Sequence, residues 1–192
     1  ARDAMSGLAA VLIVFTLAAQ VAMPWLVLAM ASGFAGDARF DLATEFGRVA
    51  FPYILFISLA ALISGVLNAT GRFAVAAAAP VLLNMILIAA MVGAGAAGVD
   101  VGRALVWSVP LAGIAQLALV WVAAARAGFR LTLHLPRLTP ELRRLARIAA
   151  PAVLAGGVLQ VNLIVGRQVA SYFDGAIQYL NLADRLYQLP LG

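Results

Sequence analysis

Residues 73–99 have the sequence FAVAAAAPVLLNMILIAAMVGAGAAGV, and none of them carries a charge. A bilayer core about 30 Å thick is crossed by roughly 20 apolar residues in helical conformation, so this run predicts a transmembrane helix. Further uncharged runs are long enough for the same role, at residues 4–36, 49–71, 104–125 and 148–166. The repetition of such runs predicts a polytopic membrane protein.

The composition agrees with this assignment. Of the 192 residues, 65% are hydrophobic and 11% are charged, and the mean hydropathy is +1.02. Soluble domains carry about 25% charged residues. Too few polar residues remain here to cover the surface of so small a globule, which excludes a soluble enzyme and a soluble nucleic-acid-binding protein. The net charge of +5 fits a membrane protein, because basic residues collect in cytoplasmic loops and near anionic headgroups.

The residues needed for catalysis or metal binding are scarce. Cys is absent, which excludes disulfides and thiolate metal sites, and His134 is the single histidine. No motif of a nucleophilic triad, a zinc protease or a phosphate-binding loop occurs in the chain. We therefore expect a protein that is not an enzyme, with no catalytic residue, no metal site and no cofactor.

The predicted fold is an all-α integral membrane protein, a polytopic bundle with five complete transmembrane helices and the start of a sixth. All belong to one transmembrane domain, 1–192. Because the chain starts without Met and stops inside a helix, we expect it to be part of a longer, transporter-sized protein. A short interfacial helix is expected in the loop 32–46, and the connection 126–147 is expected to be amphipathic, with Thr139 as N-cap before Pro140. The helices are predicted near 7–31, 47–69, 75–97, 103–125, 146–173 and 177–192.

The distribution of arginine predicts the orientation. If the N-terminus is cytoplasmic, the inside segments 1–6, 70–74 and 126–147 hold eight arginines. The outside segments then hold only Arg39, Arg48 and Arg103, with acidic residues nearby. Because cytoplasmic loops carry the excess of basic residues, the count predicts a cytoplasmic N-terminus.

Polar residues within the last two predicted helices indicate function. Gln160, Arg167 and Asp174 follow one another at seven-residue spacing, so they lie along one helical stripe. The polar residues of 177–192 fall within an arc of about 120°. An arginine at mid-membrane costs about 2.5–3.5 kcal/mol on insertion scales and should therefore face a hydrated cavity or a partner. We predict a substrate-binding cavity lined by Arg185, Asp184, Arg167, Asn181, Gln178 and Gln188.

Two interpretations of these arginines stay open. Arg185 is either a cation that binds an anionic substrate or one half of a structural Arg–Asp pair. For Arg167, either Asp174 or Asp184 is a possible partner. Asn68 and Asn84 are expected to form interhelical hydrogen bonds rather than to bind a ligand.

Several stretches, in order along the chain, resemble the MurJ/MviN lipid II flippase family. They are Arg48–Leu55 (RVAFPYIL), Gly65–Asn68 (GVLN) with Arg72–Phe73, Ala79–Asn84 (APVLLN), and Ala183–Leu186 (ADRL) followed by Leu189–Gly192 (LPLG). The family is similar to the multidrug/oligosaccharidyl-lipid/polysaccharide exporters and has fourteen helices. The resemblance places this chain at helices three to seven and the start of helix eight.

The resemblance implies a function in peptidoglycan synthesis, and hence in cell wall biogenesis and cell shape. The family's members move the lipid-linked peptidoglycan precursor from the inner to the outer leaflet of the bacterial cytoplasmic membrane by alternating access. The family's essential cavity arginine of helix eight corresponds to Arg185. Lipid II and membrane lipids would be the partners. The alternatives are another exporter of the same superfamily, for a polyprenyl-linked saccharide or a drug, and a membrane scaffold that transports nothing.

Overall fold

The computed structural model describes residues 2–129 and 140–188. Within these residues the chain is all-α, as predicted, with seven α-helices, one short 3-10 helix (Ser32–Phe34) and no strand. The predicted sequences 130–139 of the amphipathic connection and 189–192 of the last helix lie outside the described residues. The helices are α1 (Arg2–Met30), α2 (Ala38–Ala50), α3 (Tyr53–Ala69), α4 (Phe73–Ala97), α5 (Val101–Arg126), α6 (Pro140–Ala170) and α7 (Ala176–Gln188).

Four helical stretches among the described residues are long and apolar enough to cross a membrane. They are Met5–Met30, Ala38–Ala69, Phe73–Ala97 and Val101–Arg126. Each contains most or all of one predicted span. A further crossing by α6, whose 31 residues give a length of about 46 Å, stays a prediction.

Tight turns separate the helices where the sequence predicts them. Gly98 ends α4 with a positive φ of 68°, and the amide of Val99 donates to the Ala94 carbonyl at 3.1 Å. Because a residue with a Cβ is strained in this left-handed conformation, glycine suits the position. Two residues later Asp100 caps α5, since its Oδ1 accepts a hydrogen bond from the Arg103 amide at 2.6 Å. The α4–α5 turn is therefore specified by local chemistry.

Some helix boundaries differ from the predicted ones. The span predicted at 47–69 is interrupted at residues 51–52, so that 47–50 belong to α2 and α3 begins at Tyr53. Pro52 explains the break, because it has no N–H to donate and its ring obstructs the preceding turn. A helix occurs in the region of the loop 32–46 as α2, whereas its place at the membrane interface stays a prediction. The helix predicted at 146–173 begins at Pro140 and ends at Ala170.

The chain divides into two compact units. Unit 1 consists of Ala1–Gln20 and Phe46–Leu142, and unit 2 consists of Val21–Glu45 and Arg143–Gly192. In unit 1, the core is formed by apolar faces of α1, α3 and α5. Its most completely buried large residues include Ile63, Leu67 and Val120, each exposed by 1% or less. Such packing of apolar faces around a common core is what stabilises helices of this composition.

Unit 2 contains the end of α1, the 3-10 helix, most of α2, and nearly all of α6 with α7. Among the described residues, hydrogen bonds join Ser32 and Gly33 to Gln168 near the end of α6 and to Ser171 in the turn that follows it. This unit holds the predicted site residues.

Candidate functional site

The polar face of α7 carries four of the predicted site residues. Gln178, Asn181, Asp184 and Arg185 are all exposed within unit 2. The opposite face carries Tyr179, Leu182 and Leu186, so the helix is amphipathic with a continuous polar stripe. Gln188 is the last residue of α7, and its side chain lies outside the described part of the structure.

Arg167 and Arg185 are exposed cations in the described chain. Among the described residues, the carboxylate of Asp174 pairs with Arg39, whose Nη1 donates to its Oδ1 at 2.8 Å, and it forms no ion pair with Arg167 or Arg185. Both of these guanidinium groups are exposed within unit 2.

Gln168, which follows Arg167, binds the loop after α1. Its Oε1 accepts a hydrogen bond from the Ser32 amide at 3.1 Å, and its Nε2 donates to the Ser32 hydroxyl at 2.5 Å. The same hydroxyl lies 2.6 Å from the hydroxyl of Tyr172. The side chain of Gln168 therefore binds both the backbone amide and the hydroxyl of Ser32.

Gly33 lies against the backbone of Ser171. Its amide donates to the Ser171 hydroxyl at 2.9 Å, and that hydroxyl donates to the Gln168 carbonyl at 2.7 Å. A Cβ on Gly33 would lie 2.4 Å from the carbonyl carbon and oxygen of Ser171. Only glycine allows this approach. Ser171 is completely buried.

Arg39 joins the same two segments by charge. Its guanidinium contacts Asp37 and Asp174 and lies 4.9 Å from the ring centre of Phe34. The hydrogen bond from Arg39 holds the pKa of the Asp37 carboxyl below its ordinary value. We call the complete set the loop clamp; its members are Ser32, Gly33 and Arg39 on the first segment and Gln168, Ser171, Tyr172 and Asp174 on the second.

The loop clamp explains why α6 ends before the predicted residue 173. Residues 171–174 belong to the turn between α6 and α7; two of them bind the α1–α2 loop, and Asp174 binds Arg39 in the first turn of α2. The sequence predicts Asp174 on the helical stripe of Arg167, but α6 ends at Ala170, so Asp174 lies in the following turn and belongs to the loop clamp. Sequence analysis missed Gln168, although an amide beside an arginine in an apolar helix is a usable signal for a polar contact.

Unit 1 contains a second polar centre that sequence analysis missed. Gln116 on α5 is 1% exposed, and its Nε2 donates to the Ala79 carbonyl of α4 at 2.7 Å. The Tyr53 hydroxyl of α3 donates to its Oε1 at 3.1 Å. About one helical turn earlier on α5, Gly113 allows α3 to approach closely, because a Cβ on residue 113 would lie 2.8 Å from the Tyr53 ring. Gln116 therefore joins three helices and has no free polar atom for a substrate.

Comparison with known proteins gives a consistent result. A family model described as "Lipid II flippase MurJ" matches residues 2–192. The chain is 46% identical over 95% of its length to a "Probable lipid II flippase MurJ" of Rhizobium meliloti (strain 1021). It is 37% identical over 98% of its length to a "Lipid II flippase MurJ" of Burkholderia cenocepacia. A relative in Rickettsia prowazekii (strain Madrid E), with the printed name "Probable lipid II flippase MurJ", is 33% identical over 94% of the chain.

The chain spans little more than a third of these relatives. It covers 35% of the Rhizobium meliloti protein, 38% of the Burkholderia cenocepacia protein and 36% of the Rickettsia prowazekii protein. The match therefore concerns one continuous part of a longer membrane protein.

Proposed function

The chain belongs to the lipid II flippase MurJ family, and from this premise we propose that the complete protein moves lipid II from the inner to the outer leaflet of the cytoplasmic membrane by alternating access. In this proposal the protein is a transporter with no catalytic step of its own. The polar face of α7 lines the substrate cavity, with Arg185 as the principal cation.

The observation that carries the proposal is the exposed polar stripe of α7. Three uncharged or acidic polar residues and Arg185 share one face of a helix in a membrane protein. In lipid, an unpaired guanidinium is expensive, so such a face belongs against water, protein or an anionic ligand. If the ligand is anionic, it compensates the charge of Arg185 itself. Neither Asp174 nor Asp184 is then required as an ion-pair partner.

The chemistry of lipid II suits an arginine-lined cavity. Its pyrophosphate and its glycopeptide do not cross a hydrocarbon core unaided, because both would lose their hydration. Guanidinium groups replace that hydration with bidentate, charge-assisted hydrogen bonds to phosphate oxygens. Arg167 is proposed as a second cation of the same cavity. Asp184, Asn181, Gln178 and Gln188 are proposed to bind polar parts of the substrate.

The loop clamp has a positioning role in this proposal. It binds the turn at the start of α7, and the direction in which α7 leaves that turn determines where Arg185 lies. The clamp residues are thus proposed as supporting residues that do not touch the substrate.

The proposed orientation places the N-terminus of the chain in the cytoplasm. Loop 32–46 and the turn after α6 would then both face the periplasm, which agrees with their contact in the loop clamp. Because the chain has no Cys, single cysteines at Thr70 and Asp100 in a cysteine-free full-length protein test this. An impermeant thiol reagent applied to intact cells should label position 100 and not position 70. The reverse pattern would overturn the orientation.

The test of the function uses full-length protein in cells depleted of their own flippase, with the leaflet accessibility of lipid II as the measurement. Arg185→Ala should abolish export while membrane insertion and abundance stay near normal. Arg185→Lys should retain partial activity, because a point charge still attracts pyrophosphate although the bidentate geometry is lost. Arg144→Ala, which removes an exposed arginine of α6, is the matched control and should export normally.

Two results would contradict the proposal. If Arg185→Ala supports normal export, Arg185 does not bind the substrate. If wild-type protein leaves lipid II accessibility unchanged but exports another polyprenyl-linked saccharide or a drug, the substrate assignment fails while the transporter assignment holds.

A further inference from the structure

An apolar groove runs between α4 and α5 in unit 1. Its volume is about 660 Å³, and Leu67 of α3 lies at one end of it. Most of its lining is aliphatic, including Leu82, Ala118 and Val122. The exceptions are two arginines, Arg72 and Arg126. None of these residues belongs to the loop clamp or to the polar face of α7.

The two arginines lie at the same end of the groove. Arg72 immediately precedes α4 and Arg126 is the last residue of α5, and these neighbouring helices are antiparallel. Both side chains are exposed, and among the described residues neither guanidinium forms an ion pair. Among the described residues, two arginines without an ion-pair partner therefore line this end of the groove.

The N-terminus of α4 adds a third source of positive potential at this mouth. Its N-cap residue, Arg72, makes no side-chain capping hydrogen bond, and the first turn contains no acidic residue. The first amides of a helix have no partner within the helix, and the aligned peptide dipoles make that end attractive to anions. A phosphate is the type of group that such an end binds.

The length of the groove matches one leaflet of a membrane. Its lining residues on α5 extend from Ala115 to Arg126, a rise of about 16 Å at 1.5 Å per residue. Half of a hydrocarbon core about 30 Å thick is about 15 Å. A chain that starts with its headgroup at the arginines would thus end near the middle of the bilayer.

We propose that this groove is a binding site for an anionic diacyl phospholipid. Its phosphate binds between Arg72, Arg126 and the N-terminus of α4, and one acyl chain lies along α4 and α5. Charge complementarity selects this occupant, since basic clefts between transmembrane helices bind anionic lipid headgroups. The site is separate from the polar face of α7 and does not depend on what the protein transports.

The test measures phosphatidylglycerol retained by the purified full-length protein after reconstitution in mixed phosphatidylglycerol–phosphatidylethanolamine vesicles and extraction. The double variant Arg72→Gln/Arg126→Gln should retain at least about tenfold less phosphatidylglycerol, because each basic residue near a membrane surface contributes about 1 kcal/mol of attraction. Retention of phosphatidylethanolamine should change little. Ala118→Trp, which fills the groove at an exposed position without changing charge, should also reduce phosphatidylglycerol retention.

The matched control is Arg144→Gln/Arg147→Gln, which removes the same charge from exposed positions of α6. It should retain phosphatidylglycerol like the wild type. An equal loss in this control would overturn the proposal in favour of general surface attraction. Unchanged retention in the Arg72/Arg126 variant, or in Ala118→Trp, would also overturn it.

Two further outcomes identify a different occupant. If added lipid II displaces phosphatidylglycerol and the Arg72/Arg126 variant loses lipid II binding, the groove belongs to the substrate and the phospholipid proposal is wrong. If a structure of the full-length protein shows another protein helix packed against Ala118 and Val122, that helix covers the groove and the proposal is again wrong. Thermal unfolding of every variant checks that a loss of lipid does not come from a loss of fold.

Discussion

Glutamine occurs in both units, and its surroundings differ completely between them. Gln116 in unit 1 is buried, and both ends of its side-chain amide are hydrogen-bonded within the core of α3, α4 and α5. Gln178 in unit 2 is exposed on the same face of α7 as Arg185. The oxygen and the nitrogen of the Gln116 amide each have a partner inside the protein, whereas the side chain of Gln178 is exposed.

This contrast separates structural from functional polar residues in a membrane protein. Within the bilayer a polar group must be satisfied by protein, water or ligand, because lipid tails offer no hydrogen bonds. A fully satisfied group joins helices, as Gln116 does. A cluster of exposed polar groups on one helix face points to a cavity. The variants below test whether the two units differ in this way.

The largest effect on stability is expected for Gln116→Leu. The substitution removes both hydrogen bonds and leaves the part-buried Tyr53 hydroxyl without this partner, at a cost of about 1–3 kcal/mol if that hydroxyl stays unsatisfied. Thermal unfolding of the purified full-length protein in detergent should show a clear decrease in Tm. Tyr53→Phe, which removes only one hydroxyl, should lower Tm less. If Gln116→Leu kept its Tm but lost export, Gln116 would be functional and the contrast would be wrong.

The next largest effect is expected for Gly33→Ala in the loop clamp. The new Cβ would lie 2.4 Å from the Ser171 backbone, so the loop must move away. Overpacking of this kind costs about 1–3 kcal/mol. We expect a lower Tm together with reduced export, because the turn before α7 loses its support.

Gly65→Ala is the control for this prediction. Gly65 lies within α3, and a Cβ there meets nothing within 4 Å. Alanine has the higher helix propensity, so this variant should be at least as stable as the wild type. Equal destabilisation by the two substitutions would show that the clamp has no special role.

The sequence predicts the helices better than it predicts their polar contacts. Uncharged runs such as 73–99 define spans, because the bilayer imposes a length and an apolar character on each of them. Pro52 interrupts the predicted span 47–69 at a place that a hydropathy window does not detect. The partners of Gln168 are Ser32, far earlier in the chain, and its own neighbours in the turn. Contacts at such separation depend on how the helices are arranged, which no local pattern records.

A smaller effect, confined to transport, is expected for Arg167→Ala. Arg167 is exposed in the last turn of α6, so its loss should leave Tm unchanged. Export of lipid II should fall several-fold, which is less than the loss expected for Arg185→Ala, because Arg185 alone lies within the continuous polar stripe of α7. A structure of the full-length protein with the Arg167 guanidinium in lipid would refute its place in the cavity. So would an export defect larger than that of Arg185→Ala.

The smallest effect is expected for the charge pair of the loop clamp. Arg39 and Asp174 are 2.8 Å apart, but 96% of the Asp174 side chain is exposed. Exposed ion pairs contribute little, since water screens the charges and the long side chain must be ordered. A double-mutant cycle with Arg39→Gln and Asp174→Asn should therefore show a coupling in Tm near the limit of measurement, with Asp41→Asn as the uncoupled control.

The pH dependence of Arg39→Gln sharpens this last comparison. Arg39 also binds Asp37, whose carboxyl has a pKa lowered from 3.8 by that hydrogen bond. Because the pKa of Asp37 is lower in the folded than in the unfolded protein, the stabilisation from this contact is fully present above pH 3.8. It is lost as the pH falls through the lower pKa of the folded state. The small effect of Arg39→Gln on Tm should thus be the same at pH 7 and pH 5 and should fade only in stronger acid. A change between pH 7 and pH 5 would show that the pH dependence does not come from Asp37.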